Sequence, residues 1–253
     1  MRFASLGSGS KGNSTIVESK STCILVDCGF SLRATCSRLE KLEKSIEDLS
    51  GILISHEHSD HWKGVEAISE KYGIPIFLSA GCMKAKNIDK SLHGFNIIDS
   101  HNGFDLGDIR ILPVPMPHDA REPIQFIFES AGYRLGILTD LGHYTSHIVD
   151  LYSNCHGLLL EANYDESLLC HGPYPKFLKE RISGVMGHLS NSQAAELLDR
   201  LDLKRLSCLL IGHVSAENNS IELIKSSILR SQAGHIPFAI ADQADGSDWL
   251  TLS

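Results

Sequence analysis

Apolar and polar residues alternate in short runs through the first half of the chain, a period that predicts strands rather than helices. Such runs fall at residues 2–6, 15–18 and 23–26. Over residues 32–44 apolar positions recur at helical spacing among charges, which predicts a helix. Residues 51–54 form a short apolar run that leads directly into His56, and a helix is expected over 62–72 and a strand over 74–78. Further strands are expected at 95–98, 109–114, 125–128, 134–138 and 158–160. The second half turns more helical, at 176–182, 192–201 and 221–229, around a buried strand at 208–211. Strands at 237–241 and 248–252 close the chain. Many strands interleaved with outer helices predict an α/β architecture of layered sheets covered by helices.

Composition adds limits. The chain has 253 residues, 42% of them hydrophobic and 21% charged. Those values exclude a disordered chain and a disulfide scaffold, and a single domain over 1–253 is expected. The first residues hold no long apolar run, and no stretch nears the ~18 apolar residues of a membrane span. A cytoplasmic protein with no membrane partner is therefore expected. Seven scattered cysteines without a CxxC pair read as reduced thiols. The net charge of −8 argues against a broad basic face for nucleic acid.

Thirteen histidines change the picture. Ser55-His56-Glu57-His58-Ser59-Asp60-His61 places three imidazoles and two carboxylates within six residues, directly after a buried strand. Such a group is costly to pack without a partner, and imidazole with carboxylate suits zinc, manganese or iron. In an extended turn His56 and His58 point the same way, because side chains alternate with period two. One metal needs three or four ligands, so the cluster invites a second. More donors stand at or just beyond other strand ends: His118, Asp140 and His213. Strand ends gathered along one sheet edge are where sites are built.

This arrangement, HxHxDH followed by His, Asp and His at later strand ends, resembles the metallo-β-lactamase fold superfamily. The resemblance implies a four-layer αβ/βα sandwich with two divalent metal ions between the sheets. It implies that His56, His58 and His118 hold one ion, that Asp60, His61 and His213 hold the other, and that Asp140 bridges them. Asp60 is counted with the catalytic residues as well.

Two further motifs narrow the chemistry: Leu160-Glu161-Ala162-Asn163-Tyr164 and Gly187-His188-Leu189-Ser190-Asn191. His188 competes with His213 as the last metal ligand. His213 is preferred because it ends a buried strand, which frees His188 for acid chemistry. The Glu161/His188 pair is similar to the glutamate and histidine beside the metal site of tRNase Z and related nucleases. Longer stretches, including Leu6-Gly7-Ser8-Gly9-Ser10-Lys11-Gly12-Asn13-Ser14 and Gly212-His213-Val214-Ser215, resemble the WalJ (YycJ) group of this superfamily. That resemblance implies a 5′-to-3′ DNA exonuclease linked to repair. Asp140 and His188 stand only 48 positions apart, which leaves no room for the inserted domain of β-CASP nucleases.

The expected reaction is in-line attack of a metal-bridged hydroxide on a phosphodiester, with His188 protonating the departing sugar oxygen and Glu161 supporting it. Ser8, Lys11 and Asn13 of the glycine-rich loop, with Ser215 and Asn218, are candidate phosphate contacts. A tight hairpin is the plainer reading of that loop. For Lys176, Lys179 and Arg181, substrate contact and a solvated helix face both stay open. A hydrolase of a small ester, thioester, lactone or cyclic phosphodiester is the alternative on this fold, and a metal-bearing scaffold is the non-enzymatic one.

Overall fold

Two seven-stranded sheets face one another in the computed structural model, which describes residues 1–89 and 94–253. The first contains β1 (Arg2–Gly7), β2 (Ser14–Ser19), β3 (Thr22–Val26), β4 (Gly51–Leu53), β5 (Ile76–Leu78) and β6 (Phe95–Ile97). The second contains β7 (Phe104–Leu106), β8 (Ile109–Pro115), β9 (Ile124–Ser130), β10 (Tyr133–Leu138), β11 (Gly157–Glu161), β12 (Cys208–Gly212) and β13 (Phe238–Ile240). The last strand, β14 (Leu250–Thr251), returns to the first sheet and pairs antiparallel with β1. Each sheet begins as an antiparallel meander and then turns parallel, over β3–β6 and over β10–β13.

The inner parallel strands β3, β4, β11 and β12 are buried on both faces, which is why they read as unbroken apolar runs. In β11, Leu159 packs between the sheets with Phe3, Phe126 and Leu210, while Leu158 and Leu160 pack outward with Leu197, Leu198 and Ile228. The outward contacts come from α5 (Ser146–Tyr152), α8 (Asn191–Arg200) and α9 (Ile221–Arg230). On the far side, α1 (Leu32–Lys41), α3 (Val65–Tyr72) and α4 (Ala80–Ala85) cover Ile16, Leu25, Ile52 and Ile76. Three apolar layers therefore separate four layers of secondary structure, the expected αβ/βα sandwich. Among the described residues, no helix is long and apolar enough to cross a membrane.

Several boundaries differ from expectation. The helix expected over 32–44 ends at Lys41, because Glu43 turns left-handed (φ 57°) and the Lys44 N–H donates back to the Leu39 carbonyl. The helix expected over 62–72 is two, α2 (Ser59–Trp62) and α3, parted at Gly64. A Cβ on Gly64 would lie 2.3 Å from the Phe30 carbonyl oxygen and 2.6 Å from Cys28 Sγ, so only glycine fits. Short elements escaped the periodicity altogether: β7, α4, α5 and α6 (Glu166–His171). Ser79, Thr145 and Asp165 cap those three helices through their side chains. Cysteine thiols are all free, as expected.

Gly29 is the tightest glycine of the site's scaffold. A Cβ there would stand 1.8 Å from the Asp60 carbonyl oxygen, whereas one at Gly73 would meet nothing within 4 Å. We expect Gly29→Ala to lower unfolding free energy by about 3 kcal/mol or more, beyond ordinary overpacking. Gly73→Ala should lose about 1 kcal/mol through its left-handed backbone alone. Urea titration of both variants checks the order.

Candidate active site

The site grows from strand ends. β4 leads through Ile54 and Ser55 to His56, and α2 follows with Asp60 and His61. In the second sheet Leu138 pairs with Leu160 and Glu161 with Gly212, so Asp140, Glu161 and His213 emerge side by side. Asp27, Asp140 and His213 all adopt left-handed backbone, at φ 60°, 57° and 54°. That conformation is uncommon outside glycine and is tolerated best by Asn, Asp and His. Each strand thus breaks sharply where its functional side chain begins, and the surrounding packing bears the strain.

Three ring nitrogens converge in the first group. His58 Nδ1 lies 3.0 Å from His56 Nε2 and 3.3 Å from His118 Nε2. The opposite nitrogens of His118 and His56 are already committed. His118 Nδ1 donates to the Gly187 carbonyl at 3.1 Å. His56 Nδ1 donates to Ser55 Oγ at 2.9 Å, and that hydroxyl donates onward to Asp27 Oδ2 at 2.8 Å. Burial pushes His56 well below the ordinary imidazole value and His118 below it, so both rings are held neutral. Lone pairs of the neutral His56 and His118 rings therefore both face His58 Nδ1 across about 3 Å, where a single N–H can serve only one of them, an arrangement that a cation resolves.

The second group is mixed. His61 Nε2 lies 3.4 Å from Asp60 Oδ2 and 3.5 Å from Asp140 Oδ2. His213 Nε2 lies 3.8 Å from Asp60 Oδ2 and 3.5 Å from Asp140 Oδ1. Asp140 Oδ1 also lies 3.9 Å from His118 Nε2, so this carboxylate stands between the two groups. Burial opposes charge on both rings, yet the carboxylates win. Asp140 with Asp27 holds His61 well above the ordinary value, and Asp140 with Asp60 and Glu161 raises His213. Asp60 and Asp140 are correspondingly held far down as carboxylates.

Glu161 is fully buried and accepts from four groups. The Asp140 and Leu189 amides donate to it at 2.6 Å each. His213 Nδ1 and His188 Nδ1 lie 3.1 and 3.3 Å from its Oε2. A carboxylate can only accept, so both rings must carry hydrogen on Nδ1. The Nε2 of His213 then faces Asp60 and Asp140, and it offers them a lone pair for a cation only once its own proton has left. Among the described residues, Asp140 Oδ2 and His213 Nε2 are buried without a hydrogen-bond partner. Buried polar atoms are rarely left so. Orphaned donor atoms and facing lone pairs in a His/Asp set fit a pair of divalent cations.

A β-lactamase superfamily domain model matches residues 22–210. Exodeoxyribonuclease WalJ of Streptococcus pneumoniae is 34% identical over 238 residues, 92% of this chain and 88% of that protein. Exodeoxyribonuclease YycJ of Bacillus anthracis is 31% identical over 234 residues, 90% and 88% of the two chains. The crystal structure of the metallo-β-lactamase fold protein YhfI from Bacillus subtilis superposes with a TM-score of 0.75 at 15% identity, covering 97% of this chain and 98% of that one. The chain belongs to the β-lactamase superfamily.

The structure brings His56, His58, Asp60, His61, His118, Asp140 and His213 to one place, with Glu161 and His188 at its side. His58, Asp60, His118, Asp140, His188 and His213 line a cleft of about 440 Å³ that Ser215 also lines. The other expected phosphate contacts need correction. Ser8 is buried, accepts from the His213 amide at 2.7 Å and reaches Asn13 Oδ1 at 3.3 Å. Asn13 is buried with its amide nitrogen 3.2 Å from both Asp60 Oδ2 and His61 Nε2. Asn218 is fully buried beneath Ser215. These three hold the site together from behind. Lys11 stands exposed outside the cleft lining. In the glycine-rich loop the amides of Ser8, Gly9, Lys11, Gly12 and Asn13 all have partners within the protein, and Ser10 is the loop residue that lines the cleft.

Asp27 went unassigned in the sequence. It accepts from the Ser55 amide at 2.8 Å and from His61 Nδ1 at 2.8 Å. Its signal was the one that marked Asp140: an acid directly after a buried apolar strand. Asp119 was passed over too, although its Oδ1 lies 3.4 Å from His118 Nε2.

Metal uptake must displace the protons that the carboxylates hold on His61 and His213. The sign follows from their raised values. In metal-free protein those charges stabilise the fold fully below pH 6.5, and that contribution fades as pH climbs through the raised values. Adding Zn²⁺ to metal-free protein at pH 7 should therefore release about two protons, with affinity falling on acidification. A pH-indicator titration in weak buffer measures this, and uptake without proton release would contradict it.

Proposed function

We propose that this protein is a metal-dependent phosphodiester hydrolase that shortens DNA from an end in the 5′-to-3′ direction, acting in the cytoplasm. Zinc or manganese suits the donor set best, and iron is also compatible with it. DNA is preferred to RNA, in keeping with the two exodeoxyribonucleases that match over nine-tenths of the chain. One observation carries the reading: a cleft-lining imidazole, His188, backed through Nδ1 by the buried Glu161 carboxylate beside the donor cluster. An ester with a good leaving group needs no such acid, whereas a departing sugar oxygen does.

His56, His58 and His118 would hold one ion, Asp60, His61 and His213 the second, and Asp140 would lie between them. Ions there would supply a nucleophile at neutral pH and positive charge against the phosphoryl oxygens. The remaining work belongs to the chain. Ser55 and Asp27 fix the His56 and His61 rings by hydrogen bonds at their Nδ1 atoms. Asn13 donates to Asp60 and holds that carboxylate in place. His188, with Nδ1–H given to Glu161, has Nε2 left to carry a proton to the departing sugar oxygen. Glu161 balances the positive charge of the doubly protonated ring. Ser215 at the cleft edge would meet a phosphate oxygen.

His188→Ala should keep its full metal content and lose turnover on DNA by about 10²–10⁴-fold. Metal analysis and end-labelled digestion on the same preparation read both. Metal lost in step with activity would make His188 a ligand. The parent protein, offered 5′- and 3′-labelled single- and double-stranded DNA and RNA beside a lactone and a thioester, should degrade DNA. Turnover of the small esters alone would overturn the nuclease reading.

A further inference from the structure

Beside the donor cluster, one wall of the cleft has a different character. It is formed by α7 (Lys176–Ile182) and the turn before it, with Tyr174, Leu178, Arg181 and Ile182 lining the opening. No residue of α7 is buried, so its half-covered apolar side chains face the cleft instead of a core. Leu178 and Ile182 stand one turn apart on α7, and Tyr174 lines the same cleft from the turn before it.

Charge separates the three basic residues of this segment. Lys176 is almost fully exposed and pairs with Glu180 at 3.6 Å, and Lys179 donates to the Cys170 carbonyl at 2.7 Å. Arg181 is the one Lys or Arg lining the cleft among the described residues. It donates through Nε to Asp119 Oδ2 at 2.5 Å, its one hydrogen-bond partner among the described residues. Asp119 Oδ1 in turn lies 3.4 Å from His118 Nε2 and 3.9 Å from His58 Nε2. The guanidinium thus stands one carboxylate away from the three-imidazole group, more than half exposed, with no hydrogen bond at its Nη atoms among the described residues.

We propose that this wall is a nucleotide subsite. Arg181 contacts the phosphate next to the scissile one, and the adjoining base lies against Tyr174, Leu178 and Ile182. An apolar and aromatic surface beside a single cation is what a base and its phosphate require together. Asp119 holds the guanidinium ready in the absence of DNA, and a bidentate phosphate is the stronger partner for the open Nη groups. The inference rests on the nuclease reading and adds to it which side chains grip the strand.

The test uses metal-loaded protein and an end-labelled oligonucleotide with phosphorothioate linkages, followed by fluorescence anisotropy across a salt series. Arg181→Ala should weaken binding about tenfold and lower the slope of log Kd against log salt by about one. Arg181→Lys should keep the slope, while Lys176→Ala and Lys179→Ala should match the parent in both respects. Tyr174→Ala should weaken binding about tenfold and Tyr174→Phe should stay near the parent. With ordinary DNA, the losses should fall on KM more than on kcat. A parent protein that binds DNA while Arg181→Ala keeps its slope and affinity overturns the subsite alone. A parent protein that neither binds nor cuts DNA overturns the nuclease reading, and the subsite with it.

Discussion

Four N–H groups converge on one buried carboxylate, and the rest of the site depends on that convergence. Glu161 receives the amides of Asp140 and Leu189 and the Nδ1 atoms of His213 and His188. Burial alone would push its carboxyl upward, but the His188 and His213 rings hold it below the ordinary range. A buried charge without such partners would cost several kcal/mol (about 3–5 when one partner of a buried pair is removed). The interaction therefore stabilises the fold only while all of its members stay in place. It joins the backbone that carries Asp140, the tautomer of His213 and the orientation of the proposed acid.

A second buried carboxylate does the same for the other sheet. Asp27 ends β3, accepts from the Ser55 amide and hydroxyl, and fixes His61 directly and His56 through that hydroxyl. Each sheet thus brings one acid that never faces substrate and that sets which ring nitrogen does. Partners of this kind raise ligand basicity and commonly change metal affinity by 10–100-fold. The left-handed turns at Asp27, Asp140 and His213 are part of the arrangement, since each breaks a parallel strand as it leaves the sheet. Apolar packing in three layers absorbs that strain, so the four-layer architecture and the chemistry are one construction.

Much of this was legible in the sequence. The apolar runs marked the buried parallel strands, and their ends marked His56, Asp140 and His213, because a strand covered on both faces leaves only its termini for polar groups. The pairing of Glu161 with His188 was also legible from their motifs. The short helices α4, α5 and α6 were not, since only their caps announce them. Ser8, Asn13 and Asn218 were misplaced for a different reason. Small polar residues near a site serve equally well as contacts or as braces, and only their burial and partners tell which. Arg181 could not be separated from Lys176 and Lys179, because a charge run on a helix does not say which side chain meets the cleft.

The most direct measurement is on Glu161→Gln, in which an amide would set N–H against N–H at part of the four-donor cluster. Metal content and DNA turnover should be read on one sample, beside His188→Ala. If Glu161 serves both the second metal group and the acid, the amide variant should bind one of its two ions about 10–100-fold more weakly and also lose turnover, while the histidine variant loses turnover alone. A Glu161→Gln protein that keeps both ions and full turnover would contradict the account.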